Sequence, residues 1–108
     1  MTEFHNKTII IGRLGRDPEI EHTANGDVAR FAISNNTIKD GVELVNWHRI
    51  KAVGKQAQLC VEYLHKGDLC CIEGSLNYRM IDGERRNITI IADHITFLSQ
   101  VRKQAVEA

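Results

Sequence analysis

The segment Asn46-Trp47-His48-Arg49-Ile50-Lys51-Ala52-Val53 reads as a β-strand, and the segment that follows it, Gly54 to Gly67, reads as a helix. In the first, alternation puts Trp47, Arg49, Lys51 and Val53 on one face and His48, Ile50 and Ala52 on the other. In the second, Ala57, Cys60, Val61 and Leu64 recur at i, i+3, i+4 and i+7, the stripe of a short amphipathic helix. Gly67 suits its C-terminal cap, with His65 and Lys66 in a last turn where cations are favoured. This change of period locates the helix in the chain.

Working outward, everything else reads as strand. Thr8-Ile9-Ile10-Ile11-Gly12-Arg13-Leu14 is β-branched and apolar on both faces, so it needs cover on both sides, one the domain's own core and the other a partner subunit. Asn25-Gly26 signals a turn, after which Val28 to Ser34 forms a second strand with Phe31 and Ile33 on one face and Arg30 and Ala32 on the other. Asp40-Gly41 is a hairpin candidate leading into the third strand, from about Leu44 to Val53. Beyond the helix, strands over residues 69–81 and 86–97 flank a hairpin at Asp82-Gly83. The order β-β-β-α-β-β predicts an all-β fold: a five-stranded Greek-key barrel of the OB type, with its helix between strands 3 and 4. The chain of 108 residues has room for one core, over residues 1–98, with 99–108 as a short polar tail.

Composition excludes several classes. No apolar run approaches the roughly 18–20 residues of a membrane span. Met1-Thr2-Glu3-Phe4-His5-Asn6-Lys7 carries an early acid and no apolar stretch, so a cytoplasmic location is expected. Cys60, Cys70 and Cys71 lack metal or redox spacing and fit reduced thiols. The five histidines are scattered, and no nucleophile is paired with a base, so catalysis is not expected. Asp17, Glu19 and Glu21 alternate as hard-metal ligands could, but Pro18 interrupts them, and an acidic turn and strand edge is the preferred account. No metal or cofactor is expected.

The formal net charge of +0 argues at first against a polyanion ligand. The average hides a partition. Residues 31–66 hold five cations (Lys39, Arg49, Lys51, Lys55, Lys66) against three acids, while each flank carries one more acid than cation. Trp47 beside Arg49 and Lys51 suits a strand of nucleic acid, with bases stacking on the ring and cations neutralising phosphates. A Trp in the core with the cations snorkelling past it stays open as the other reading. Arg79, Arg85 and Arg86 form a second cationic set around the Asp82-Gly83 hairpin.

The sequence resembles the bacterial single-stranded DNA-binding proteins. Asn6-Lys7-Thr8-Ile9-Ile10-Ile11-Gly12-Arg13-Leu14-Gly15-Arg16-Asp17-Pro18-Glu19 is similar to that family's opening motif, and Trp47-His48-Arg49-Ile50 with Gly54-Lys55 to its central one. Tyr63-Leu64-His65-Lys66-Gly67 and Ile72-Glu73-Gly74-Ser75-Leu76 follow in order. The resemblance implies a homo-oligomer, a tetramer before a dimer, that binds and protects single-stranded DNA in replication, recombination and repair. It implies that Trp47 stacks a base and that Arg49, Lys55, Lys66, Arg79 and Arg86 lie on or near the DNA path; Lys51 joins them by its place beside Arg49. His48 matches a subunit contact, and Asn6, Thr8 and Ile10 are assigned with it to the oligomer interface.

Some positions depart from the family. Where it usually places further aromatics on the DNA path, this chain has Ile38 or Lys39, Val53 and Ile81. The connection at Asp40-Gly41 is also shorter than the usual basic loop. The chain ends at Val106-Glu107-Ala108 rather than in an acidic tip, so a short form without that tail, natural or trimmed, is expected. Partners beyond DNA would be replication or repair proteins. The second resemblance is to the primosomal replication protein N family, dimeric OB-fold adaptors that bind single-stranded DNA and a helicase or other replication protein.

Overall fold

The computed structural model describes residues 6–99, with backbone only at residues 79–81, 85–87 and 99. The tail assigned to 99–108 therefore lies outside the described residues, save for the backbone of Ser99. Its strands are β1 (Thr8–Leu14), β2 (Glu19–Thr23), β3 (Gly26–Lys39), β4 (Val42–Val53), β5 (Leu69–Ile81) and β6 (Glu84–Ser99), with the helix α1 (Lys55–Tyr63) between β4 and β5.

The sheet runs β1-β5-β6-β4-β3-β2, and β1 also pairs with β3, so five strands close into a ring with β2 attached outside it. All pairings are antiparallel except β4 with β6. This is the Greek-key barrel of the OB fold. At the β1–β3 closure a Cβ on Gly12 would fall 2.5 Å from the Ser34 carbonyl oxygen, so the ring shuts only because that residue has no side chain.

Alternation sorts the strands as expected. Ala29, Phe31 and Ile33 of β3 and Ile50 and Ala52 of β4 point inward, with Leu14, Ile72, Ile90 and Ala92 completing the barrel core. Ala29 and Ala52 are cross-strand neighbours with no exposure, and α1 packs against β3, β4 and β2 through Ala57 and Cys60. Small residues on the wall let the helix come close and plug one end.

The structure corrects several boundaries. α1 stops at Tyr63, with Leu64 extended and buried at its C-cap, so Gly67 (φ 88°) belongs to the following turn. The first hairpin turns at Ala24 and Asn25, and Gly26 takes the positive φ (120°) as β3 begins. Segment 19–23 is a strand, read from the sequence only as an acidic edge, because Ile20 is its one inward apolar residue. The β3–β4 ladder reaches Lys39 and Val42, well past Ser34 and Leu44. The extension shows no core periodicity because it stands clear of the barrel. The Asp40-Gly41 and Asp82-Gly83 hairpins are as expected, each with positive φ at both residues (52° and 78°; 52° and 76°). β6 bulges against β5 in three places, which accounts for its 16 residues against 13.

Candidate nucleic-acid interface

On the outer face, cross-strand register lines up Glu19, Arg30, Lys51, Ile91 and Ser75 across β2, β3, β4, β6 and β5. Alongside this row Ala32 faces Arg49, and Ser34 faces Trp47. Glu19, Arg30, Ala32, Arg49, Lys51 and Ile91 of this array line a groove of about 670 Å³, floored by Phe31 and Ile50 and joined by Arg16, while Trp47 lies just outside it, next to Arg49 in the alternation. The far wall comes from Asn77, Tyr78, Thr89 and Ile91 of β5 and β6. The groove thus spans both halves of the barrel wall.

Trp47 is 59% exposed, which removes the alternative of a core indole. Its ring lies across the backbone of Gly15: a Cβ there would fall 2.6 Å from Cζ3 and 2.7 Å from Cη2. The Gly15 N–H donates to the Ala32 carbonyl at 3.1 Å, which fixes this platform to β3. One ring face is supported and the rest of the indole is left to solvent, next to Arg49 in the alternation.

The other expected residues divide. Arg49 and Lys51 lie in the groove, and Val53 (49% exposed) continues their face beyond it. Ile38 (78% exposed) shares Trp47's face, opposite Glu43 near the hairpin tip, whereas Lys39 faces the other way. Ile38 therefore belongs to the projecting hairpin and not to the groove. Lys55 and Lys66 are exposed outside the groove. The Lys66 N–H donates to Asp17 Oδ1 at 2.8 Å, so its turn is held close to Arg16. The side chains of Arg79, Ile81 and Arg86 lie outside the described residues, though their backbones pair across the last hairpin, Arg79 with Arg86.

The residues assigned to the oligomer interface have contacts within the chain. Asn6 Nδ2 donates to the Leu76 carbonyl at 2.9 Å and its Oδ1 accepts from the Leu76 N–H at 3.0 Å, prolonging the β1–β5 ladder. Thr8 is half-buried, and Ile10 packs against the core. Ile9 and Ile11 are the outward residues of β1, at 60% and 51% exposure. His48 is half-buried with Nε2 3.3 Å from Asn35 Oδ1, where the inner face of β4 runs out past the core.

The sequence did not single out Arg16, Arg30 or Tyr78 as part of this groove. Arg30 had a usable signal, its outward alternation on β3, but only the β3–β4 register shows that it faces Lys51. Tyr78 sits where the β5–β6 register slips between Asn77 and Arg79, and no sequence pattern reports such a slip.

Burial pushes the thiols of Cys60 and Cys70 up to about 12, so neither supplies a nucleophilic thiolate. Among the described residues no group of three His, Cys, Asp or Glu could hold a metal ion. Asp17, Glu19 and Glu21 go to separate partners: the Lys66 N–H, the Arg16 guanidinium at 3.9 Å, and Arg30 at 3.0 Å. Nor is any helix among the described residues long and apolar enough to cross a membrane.

Residues 5–98 match the single-strand binding protein family. The chain belongs to that family. A protein of Xylella fastidiosa called single-stranded DNA-binding protein is 39% identical over 103 residues, covering 86% of this chain and 63% of its own length. One of the same name from Neisseria meningitidis is 37% identical, with 86% of this chain and 59% of that protein covered. The chain thus spans about three fifths of the length of these curated relatives. A solved structure described as a Plasmodium falciparum SSB complex with ssDNA superposes with a TM-score of 0.78 at 27% identity, covering 92% of this chain and all of that one.

Proposed function

We propose that this chain binds single-stranded DNA without sequence preference, in replication, recombination or repair in the cytoplasm, and carries out no catalysis. The observation that carries the reading is an exposed indole on a fixed backbone platform, next to two cations with no carboxylate partner among the described residues. Stacking on Trp47 accepts any base, because every base has a π-face, and Arg49 and Lys51 neutralise phosphates along the groove. The names of the relatives and the nucleic acid in the similar structure support the same ligand. The outward isoleucines of β1, a strand whose other face is already satisfied by the core, support assembly into a homo-oligomer.

The test is a titration with oligo-dT followed by tryptophan emission, since Trp47 is the only indole. Quenching is expected at low salt, with affinity falling by roughly 0.7 log units per log unit of salt for each phosphate contacted. Unchanged emission together with an unchanged electrophoretic mobility of the DNA would reject the assignment.

A further inference from the structure

Strand β2 puts one carboxylate into a groove whose other charged lining residues are all cations, and a second beside it. Glu19 lines it, facing Arg30 in register and lying 3.9 Å from Arg16. Glu21 Oε1 accepts a hydrogen bond from Arg30 Nη1 at 3.0 Å. Arg49 and Lys51, the next cations on the same face, have no ion pair among the described residues. The cations therefore differ in what a phosphate would meet. At Arg49 and Lys51 it would displace water. At Arg30 it would have to displace a carboxylate, which competes for the same guanidinium fork, and then sit beside two negative charges.

The Arg30–Glu21 pair is weak enough to be exchanged, because the side chains are 56% and 59% exposed. Even so, it tilts the field at that end of the groove. Arg16 and Arg30 are offset by Glu19 and Glu21, while the Trp47 end keeps its charge.

We propose that Glu19 and Glu21 are internal stand-ins for phosphate, which keep Arg30 as a latent contact and border the path of a bound strand at β2. This rests on the reading of the groove as a single-stranded DNA surface. The strand is confined to the side carrying Trp47, Arg49 and Lys51, and binds less tightly than the groove's four cations would otherwise permit.

The experiment uses the oligo-dT titration at low salt on single and paired substitutions. Glu21→Gln, alone or with Glu19→Gln, is expected to raise affinity threefold or more. It should also steepen the salt dependence by about 0.7, the value for one added phosphate contact on a single strand. Arg30→Ala should cost more affinity in the Glu21→Gln background than in the wild type, cancelling the gain. Glu62→Gln on α1 makes the same charge change away from the groove and should leave affinity within twofold. The proposal is overturned if Glu21→Gln binds no tighter than Glu62→Gln, or if Arg30→Ala costs the same in both backgrounds. If the wild type binds and Arg49→Ala weakens it while Glu21→Gln does nothing, the proposal alone fails. If no variant binds oligo-dT, the functional reading fails with it.

Discussion

Two outward faces of one barrel, on β4 and on β1, both expose large apolar side chains, and they differ in how charge is arranged around them. On β4, Trp47 alternates with Arg49 and Lys51, and neither cation has a carboxylate partner among the described residues. On β1, Ile9 and Ile11 stand beside Glu73 and Cys71 of β5, and Glu73 is taken by Lys7 at 2.8 Å. The Lys7 ammonium holds the Glu73 carboxyl below its usual range, and Glu73 in turn raises Lys7. An apolar surface whose charges are already paired suits another protein surface, while one interleaved with unpaired cations suits a polyanion. Exposed hydrophobicity alone would not separate them.

The comparison is broken most severely by exchanging the character of the β1 face. Ile9→Asp with Ile11→Asp is expected to reduce any oligomer to the mass of a single chain in light scattering. Binding of a short oligo-dT should persist, because the groove lies elsewhere. Loss of short-oligonucleotide binding with the fold intact would show that the two faces are not independent. Next in size, Trp47→Ala should cost about 1–3 kcal/mol of binding to oligo-dT by mobility shift, the range for losing one stacked base. An undiminished affinity would remove the ring from the mechanism.

Gly15→Ala sharpens the comparison on the β4 side alone. The new Cβ would collide with the indole, so the ring must tilt from its support. A smaller loss of affinity than in Trp47→Ala is expected, with a shifted emission maximum in the free protein. Unchanged emission would show that the ring does not rest on this backbone.

The smallest effect lies at neither face, in the corner where β2, β3 and α1 meet. Asp27 is hydrogen-bonded by His22 at 2.6 Å and by Gln58 at 3.1 Å, and these bonds hold its carboxyl below the ordinary 3.8. A lowered folded-state value stabilises the protein above pH 3.8, and the contribution is lost as pH falls through that lower value. Asp27→Asn should therefore lower stability slightly at neutral pH and reduce its fall in acid. Parallel acid limbs in urea denaturation would contradict this.

Much of the fold and part of the site could be read in the sequence, and the misses share a cause. β4 was legible because the core lies on one side of it and enforces alternation from Trp47 to Val53. α1 was legible because Ala57 and Cys60 turn to the core, and Leu64, buried at the C-cap, continues their spacing. β2 and the outer half of the β3–β4 hairpin have almost no core contact, so Glu19-Ile20-Glu21 and Asn35-Asn36-Thr37 carry no periodicity to detect. Ile10 was assigned to the oligomer interface, but it packs against the core while Ile9 and Ile11 face outward, because a run of three isoleucines cannot say which of them faces the core. The groove's missing members, Arg16, Arg30 and Tyr78, depend on register between strands far apart in sequence, and a bulge resets that register near Tyr78.

The ring of strands has a consequence for how the molecule breathes. Among the described residues β4 meets β6 only at Ile50–Ile90 and Lys51–Ile91, and β1 meets β3 only at Arg13–Ser34 and Leu14–Ile33. These short seams join a β2–β3–β4 half to a β1–β5–β6 half. Amides along them should exchange with solvent through smaller openings than those in the middle of the long ladders. The groove straddles the first seam, and the Trp47 ring resting on Gly15 lies over the second. A strand lying along that path would clasp both halves at once, so its binding energy would also resist their parting.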